Sequence, residues 1–285
     1  MENTTQNSYH THISSKHNAL ELKLDEVWRY RDLILLFTKR NFVVRYKQTI
    51  LGPAWILLNP LFSSIIYAIV FGGIAKIGTE GIPTILFYLC SNAIWLFFAT
   101  CVTTNARTFT ENANVFGKVY FPRLTMPISN MLSAGIHFCV QMLMVLGFLG
   151  FYLVQGAVHP NWAAWLLIPV VLLHLGMLGL GCGIIVSSLT TKYRDLAILV
   201  DFAMQLWMYA TPVVYPLSTL EPGWIRTILL INPVTAPVEF FRYAILGQGS
   251  ILPGVLALSW AITIGVMLIG IVIFNKVERT FMDTV

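Results

Sequence analysis

Six apolar stretches constrain this chain more than anything else in it. Near residues 54–75, 83–105, 128–155, 162–188, 196–214 and 254–275 the sequence runs almost free of charge. Each stretch has about the 20 residues that a helix needs to cross the hydrocarbon core of a bilayer. In lipid every backbone polar group must be satisfied within the protein, which leaves helices or closed barrels as the spanning structures, and continuous apolar runs of this length are helical. The composition agrees: 56% of the 285 residues are hydrophobic and 11% are charged, against about 25% charged in a soluble domain. The expected fold class is therefore all-α integral membrane, with six transmembrane helices.

Charge sets the orientation. Fifteen of the eighteen Lys and Arg residues lie before the first stretch, between the second and third, between the fourth and fifth, or after the sixth. Lys76, Arg226 and Arg242 are the exceptions. By the positive-inside rule both termini are expected in the cytoplasm, and the net charge of +5 speaks for anionic lipid headgroups rather than nucleic acid. Residues 1–19 are polar and read as a disordered cytoplasmic tail. No signal-peptide pattern leads the chain, so the first span is expected to serve as its own insertion signal.

Residues 20–50 read as an amphipathic interface helix, or a pair of helices, ahead of the transmembrane domain at 51–280. At helical spacing Leu20, Leu24, Val27, Trp28, Leu35, Phe42 and Tyr46 share one sector, and Arg29, Arg40 and Lys47 fall opposite. Such a helix either rests on the membrane surface or packs on the protein's own spans. The connection at 106–127 is too long for a turn. Helical spacing brings Val115, Phe116 and Val119 together as an apolar knob, and Pro122 and Pro127 are expected to stop and re-aim the chain. The knob suits a soluble partner or the lipid headgroups.

Asp195 stands where a helix N-cap is favoured at the start of span five, and Asp201 is the one acid clearly within a span, where it is expected to be paired or solvated. Between 212 and 250 lie Pro212, Pro216, Pro222, Pro233 and Pro237, and the only strongly apolar run, 225–231, is too short to cross. A re-entrant helical pair on the outer side fits this segment, placed over an aqueous pathway that it could gate. Glu239 and Arg242 sit three apart, the spacing of an ion pair on one helical face. In span four Gly179 and Gly183 form a small-xxx-small pattern for close helix packing. Cys90, Cys101, Cys139 and Cys182 lack metal or disulfide spacing, and the histidines do not cluster, so no metal site is expected.

The chain carries no phosphate-binding loop of the Gly-x-x-x-x-Gly-Lys-Ser/Thr type, no HExxH and no GxSxG. It reads as no enzyme, and its spans lack the charges that an ion-coupled carrier uses. Energy for any transport has to come from another chain.

Three separated segments carry a resemblance: Arg45 to Pro60 (RYKQTILGPAWILLNP), Lys118 to Pro127 (KVYFPRLTMP) and Tyr193 to Leu196 (YRDL). They resemble the signature segments of ABC-2 type permeases that export polysaccharides, of the O-antigen, capsule and teichoic-acid kind, and the likeness extends over about residues 20–280. It implies a homodimer in the bacterial plasma (inner) membrane, docked on two separate subunits that bind ATP and Mg, with no cofactor in this chain itself. It also implies that the neighbourhoods of Trp28 to Lys47 and Glu111 to Arg123 receive those subunits. The coupling set is then Glu111, Phe116, Lys118, Tyr120, Phe121, Arg123, Arg194 and Asp195, and the gate comprises Pro212, Pro216, Pro233, Glu239 and Arg242.

The implied substrate is a glycan on a polyprenyl or similar lipid diphosphate. Arg29, Arg31, Arg40, Arg45 and Lys47 are the candidates to hold its anionic head, a task that suits the planar fork of Arg. Sugar faces slide best over aromatic rings, and Tyr67, Phe71, Tyr88, Trp95, Phe98, Trp207 and Tyr209 are the candidate pathway lining; their alternative use is packing or lipid contact. An exporter of a drug or small lipid in the same class, or an ion-coupled transporter, stays open at this point.

Overall fold

The computed structural model describes residues 24–284 apart from 117, 120, 192, 194 and 250. The tail expected over 1–19, and the coupling roles expected for Tyr120 and Arg194, lie outside the described residues. Every regular element among those described is helical: α1 (Leu24–Arg29), α2 (Arg31–Tyr46), α3 (Trp55–Tyr67), α4 (Thr84–Ala106), α5 (Thr108–Phe116), α6 (Thr125–Val154), α7 (Trp162–Trp165), α8 (Ile168–Thr190), α9 (Leu196–Tyr209), α10 (Trp224–Ile231), α11 (Thr235–Leu246) and α12 (Pro253–Thr284).

Among the described residues five stretches are long and apolar enough to cross a membrane: Gly52–Ile74, Thr84–Ala106, Thr125–Val154, Ile168–Thr190 and Pro253–Val277. The first is composite, since a 3₁₀ turn at Gly52–Ala54 leads into α3 and a π-helical stretch at Ala68–Ile74 follows it. The expected fifth span is shorter than the sequence suggests. Its helix ends at Tyr209, because Pro212 and Pro216 deny the chain the N–H groups that a further turn needs. At about 1.5 Å per residue its 14 residues reach roughly 21 Å.

Hydrogen bonds fix which ends lie together. At one end Thr190 Oγ1 donates to the Ala106 carbonyl at 3.1 Å, beside α1, α2 and α5; this is the basic end. At the other end Asn161 N donates to the Ala244 carbonyl at 3.1 Å, and Ser218 donates to Glu80. Helices α10 and α11 meet at an 85° bend. The chain entering the bent pair, at Ser218, and the chain leaving it, where Gly247 abuts the His159 carbonyl, both lie at this distal end. Gly247 has φ 74°, and a Cβ there would stand 1.9 Å from that carbonyl oxygen, so only glycine fits.

Helix α4 is the spine, packed by α3, α6, α8, α9 and α11. Its contact with α8 depends on two glycines: a Cβ on Gly179 would stand 2.6 Å from Cys101 Cβ, and one on Gly183 would stand 2.4 Å from Asn105 Cβ. This is the close approach that the small-xxx-small spacing predicts. Pro60, within α3, leaves its carbonyl to Asn92 Nδ2 of α4 at 3.3 Å.

The surface helix differs from its sequence reading. Helix α2 runs along the first turns of α6, with Thr38 donating to the Ser129 carbonyl, Asn41 to Asn130, and Tyr46 meeting His137. The expected apolar sector is split: Val27 is buried and Phe42 and Tyr46 are half-buried, whereas Trp28 and Leu35 are 72% and 60% exposed. The inward face of α2 is instead the one carrying Ile34, Phe37, Thr38 and Asn41, whose apolar and polar groups meet α6 and the aromatic residues beside it, and this leaves Leu35, Leu36, Val43 and Val44 outward. Pro127 also departs from expectation. It lies in the first turn of α6, where its missing N–H costs nothing, and does not stop a helix.

Candidate functional site

The basic end holds a second hydrophobic core, separate from the main one. Phe37 of α2, Phe109 and Phe116 of α5, Phe121, Met126, Leu180, Ile184, Ile271 and Phe274 form it. Phe109 stacks on Phe274 with centroids 4.9 Å apart, and Phe116 lies 5.6 Å from Phe121. This corrects the reading of 106–127 as an outward apolar knob. Phe116 and Phe121 are 2% and 4% exposed, and Arg123 is buried with its guanidinium 5.7 Å from the Phe116 ring. An aromatic pair beside three further spans gains more from burial than from waiting for a partner. The outward groups of the segment are Thr110, Glu111, Asn114, Lys118 and Val119, joined at this end by Tyr193 and Asp195. Asp195 occupies the N-cap position of α9, but its side chain makes no capping hydrogen bond.

Between α2, α4, α5, α6 and α9 this end opens into a cavity of ≈ 570 Å³. Of the five cations considered for a head-group, Arg40 and Arg45 line it; Arg29, Arg31 and Lys47 are exposed elsewhere on the surface helices. Arg40 is held on two sides. Its Nη2 donates to Asn112 Oδ1 at 3.2 Å and to Asn41 Oδ1 at 3.3 Å, and its plane lies 5.0 Å from the Phe37 ring. Asn41 in turn donates to Asn130 Oδ1 at 3.0 Å, and Asn130 donates to Asn105 Oδ1 at 3.2 Å. A polar ladder thus runs from the guanidinium inward between α4 and α6.

Sequence reasoning missed three members of this wall. Arg107, at the C-cap of α4, forms an ion pair with Asp201 of α9, which supplies the partner expected for that acid. Asn112 of α5 and Asn130 of α6 are the others; Asn112, five residues after Arg107, could be placed near it by helical spacing, whereas Asn130 comes from another helix and left no such signal. Tyr46 contacts His137 Nε2 at 3.1 Å. Burial raises the Tyr46 phenol above its ordinary value, with Arg45 opposing, so the hydroxyl keeps its proton.

Six of the seven aromatic candidates form two groups of rings, and Tyr209 joins neither. Tyr67, Phe71 and Tyr88 lie within 6.1–6.4 Å of one another, and Phe98 bridges Trp95 at 5.6 Å and Trp207 at 5.3 Å. Tyr88, Trp95 and Phe98 are buried within the chain, so they do not present their faces to a lumen as expected: α4 is the central helix and encloses them. Tyr67, Phe71 and Trp207 are half-buried, and Tyr209 is 52% exposed.

At the distal end the bent helix pair is bolted by charge. Arg242 is wholly buried, pairs with Glu239, donates from Nη1 to the Pro212 carbonyl at 3.0 Å and covers the Phe87 ring at 4.8 Å. Glu239 also accepts from Leu217 N at 3.3 Å. Asn232, at the bend, accepts from Trp207 Nε1 at 3.1 Å and donates to the Ala210 carbonyl at 2.7 Å. Of the gate prolines, Pro212 and Pro216 are buried under this pair and Pro233 is at the bend itself.

Comparison with known proteins bears on this arrangement. The profile of the ABC-2 type transporter family matches residues 32–246. An O-antigen export system permease protein RfbA of Klebsiella pneumoniae is 28% identical over 257 residues, covering 88% of this chain and 94% of the relative. The protein of that name in Myxococcus xanthus is 28% identical over 221 residues, covering 76% of this chain and 81% of the relative.

Proposed function

The chain belongs to the ABC-2 type transporter family, and from that premise we propose that it is the membrane-spanning permease of an ATP-driven exporter of a lipid-linked polysaccharide. The observation that carries the substrate class is the similarity, over nearly the full length of both chains, to permeases named for O-antigen export. In this reading two copies of the chain enclose the pathway, and two separate ATP-hydrolysing subunits with their Mg dock on the basic end. That end faces the cytoplasm of a bacterial plasma membrane, as do both termini.

Several features support the arrangement. The exposed Glu111, Lys118, Tyr193 and Asp195 offer a polar docking face, while the aromatic core beneath them, Phe37 to Phe274, makes that face move as one body with α2, α8 and α12. Arg40 and Arg45 in the polar cavity suit a lipid diphosphate, because a guanidinium fixed by Asn41 and Asn112 keeps its Nε and Nη1 donors for a ligand. Tyr67, Phe71, Trp207 and Tyr209 provide sugar-stacking faces between the cavity and the distal end. The 85° bent pair, entering and leaving at the distal end, serves as a re-entrant gate, with Glu239 and Arg242 fixing its shape.

Deletion tests this reading. A strain lacking the chain is expected to accumulate lipid-linked glycan on the cytoplasmic side and lose it from the surface. Unchanged surface glycan would refute the assignment.

A further inference from the structure

The cavity at the basic end holds one cation whose charge is already committed. Arg107 lies at the junction of α4 and α5, and its backbone is fixed there: its carbonyl accepts from Glu111 N at 3.0 Å and from Thr110 Oγ1 at 3.0 Å. Its side chain crosses the cavity wall to Asp201 of α9. The two side chains are 38% and 45% exposed, so the pair stands in the cavity's own solvent. A half-exposed pair of this kind is weak, because water and salt screen it.

The surroundings decide what could separate it. Arg40 and Arg45 line the same cavity, and its acids are Asp201 and Glu111. Cations therefore outnumber acids by three to two on the wall, and an anion that enters meets guanidinium groups with donors to spare. Arg107 uses Nη2 toward Asp201, and guanidinium has five N–H donors in all.

We propose that Arg107 is a diphosphate-responsive latch: without ligand it holds Asp201 of α9, and a diphosphate group in the cavity takes Arg107 from Asp201. This rests on the reading of the cavity as an anion site, and adds to it a third guanidinium and a consequence for the protein. Released from Arg107, the basic end of α9 keeps its packing on α4 and α8, through Val200, and loses its ion pair to the junction of α4 and α5. Only Met204 and Met208 of that helix are buried. Its far end stays clamped to the bent pair through Trp207, Ala210 and Thr211, all bonded to Asn232. Ligand arrival thus loosens, by one ion pair, one end of a helix whose other end holds the bend, and occupancy at the basic end is felt at the distal one. The coupling is carried by a discrete ion pair with two arrangements, a physical link rather than mere proximity.

The test uses the full chain in phosphatidylcholine nanodiscs, titrated with inorganic diphosphate and, separately, with farnesyl diphosphate. Asp201→Asn should raise diphosphate affinity by about two- to fivefold, since nothing then competes for Arg107. Arg107→Gln should lower it by about tenfold. The deciding measurement is the double variant: with Arg107 already replaced, Asp201→Asn should change nothing. If Asp201→Asn instead raises affinity equally in both backgrounds, the carboxylate acts only through its field and the latch is overturned. Loss of affinity in Arg40→Gln alongside an unaffected Arg107→Gln would also overturn it while leaving the anion site standing. If neither diphosphate binds the wild-type chain, the anion-site reading itself fails. Tighter binding of farnesyl diphosphate than of inorganic diphosphate assigns the ligand as a lipid headgroup, equal binding assigns free diphosphate, and the latch predicts the same order of variants in both arms. Arg107→Lys guards against misfolding: it keeps the pair with Asp201 but loses the fork, so affinity falls while the thermal midpoint stays put.

Discussion

Breaking the buried pair at the distal end should cost more than removing it. In Glu239→Gln the guanidinium of Arg242, with no exposed surface, loses its counter-charge and keeps the Pro212 carbonyl and the Phe87 face. An uncompensated buried charge of this kind costs about 3–5 kcal/mol. Arg242→Met leaves the mirror problem, a carboxylate 3% exposed that still accepts from Leu217 N, with a cost of about the same size. The double variant Glu239→Gln with Arg242→Met removes both charges in side chains of similar volume and keeps an amide oxygen to accept from Leu217 N. What it loses is the donor to Pro212 and the ring contact, about 1–3 kcal/mol together. The double variant should therefore be more stable than either single one, and the cycle should show coupling of several kcal/mol. Thermal unfolding of the purified protein in one detergent, followed by tryptophan fluorescence, reads the order. A Glu239→Gln protein within about 0.5 kcal/mol of wild type, or a double variant as unstable as the two singles summed, would refute the reasoning.

Other perturbations separate packing from function. Gly183→Val pushes a side chain into Asn105 Cβ and the Val102 carbonyl and should cost about 1–3 kcal/mol or more, whereas Gly135→Ala, with nothing within 4 Å of the new Cβ, should leave folding unchanged by the same thermal assay. Phe116→Asp buries a carboxylate in the aromatic core and should reduce the amount of folded protein recovered from membranes; Glu111→Lys, on the exposed face, should leave that amount unchanged and weaken co-purification of the ATPase subunit. Equal recovery for both would contradict the burial described for Phe116. Gly247→Ala, strained at φ 74° and blocked by the His159 carbonyl, should loosen the bent pair and speed proteolysis within 212–250.

Much of this was legible from the chain alone. The spans could be read because lipid permits few solutions, and a run of apolar residues at spanning length has one of them. Gly179 and Gly183 were legible for a related reason: small residues four apart on one helix serve contact. The site was harder. Helical spacing placed Val115 and Phe116 on one face of α5 but could not say whether that face looks toward a partner or toward α12, and Phe274, which decides it, lies far along the sequence. The same limit hid the ladder of Asn41, Asn105 and Asn130, whose members come from three helices. Span five was overread because hydropathy continues to Val214, while the backbone obeys Pro212. The rings of Tyr88 and Phe98 looked available for sugar until the central position of α4 enclosed them.

In the proposed function this chain moves a lipid-linked glycan across the membrane when its partner hydrolyses ATP. Reconstitution tests it most directly: the chain and its ATPase subunit in proteoliposomes, with lipid-linked glycan loaded on the outer leaflet beside the ATPase, and protection of the glycan from an added glycosidase as readout. Protection should rise with ATP and stay at background with a non-hydrolysable analogue. Protection that does not depend on ATP, or ATP hydrolysis with no glycan protected, would rule out ATP-driven glycan export by this chain.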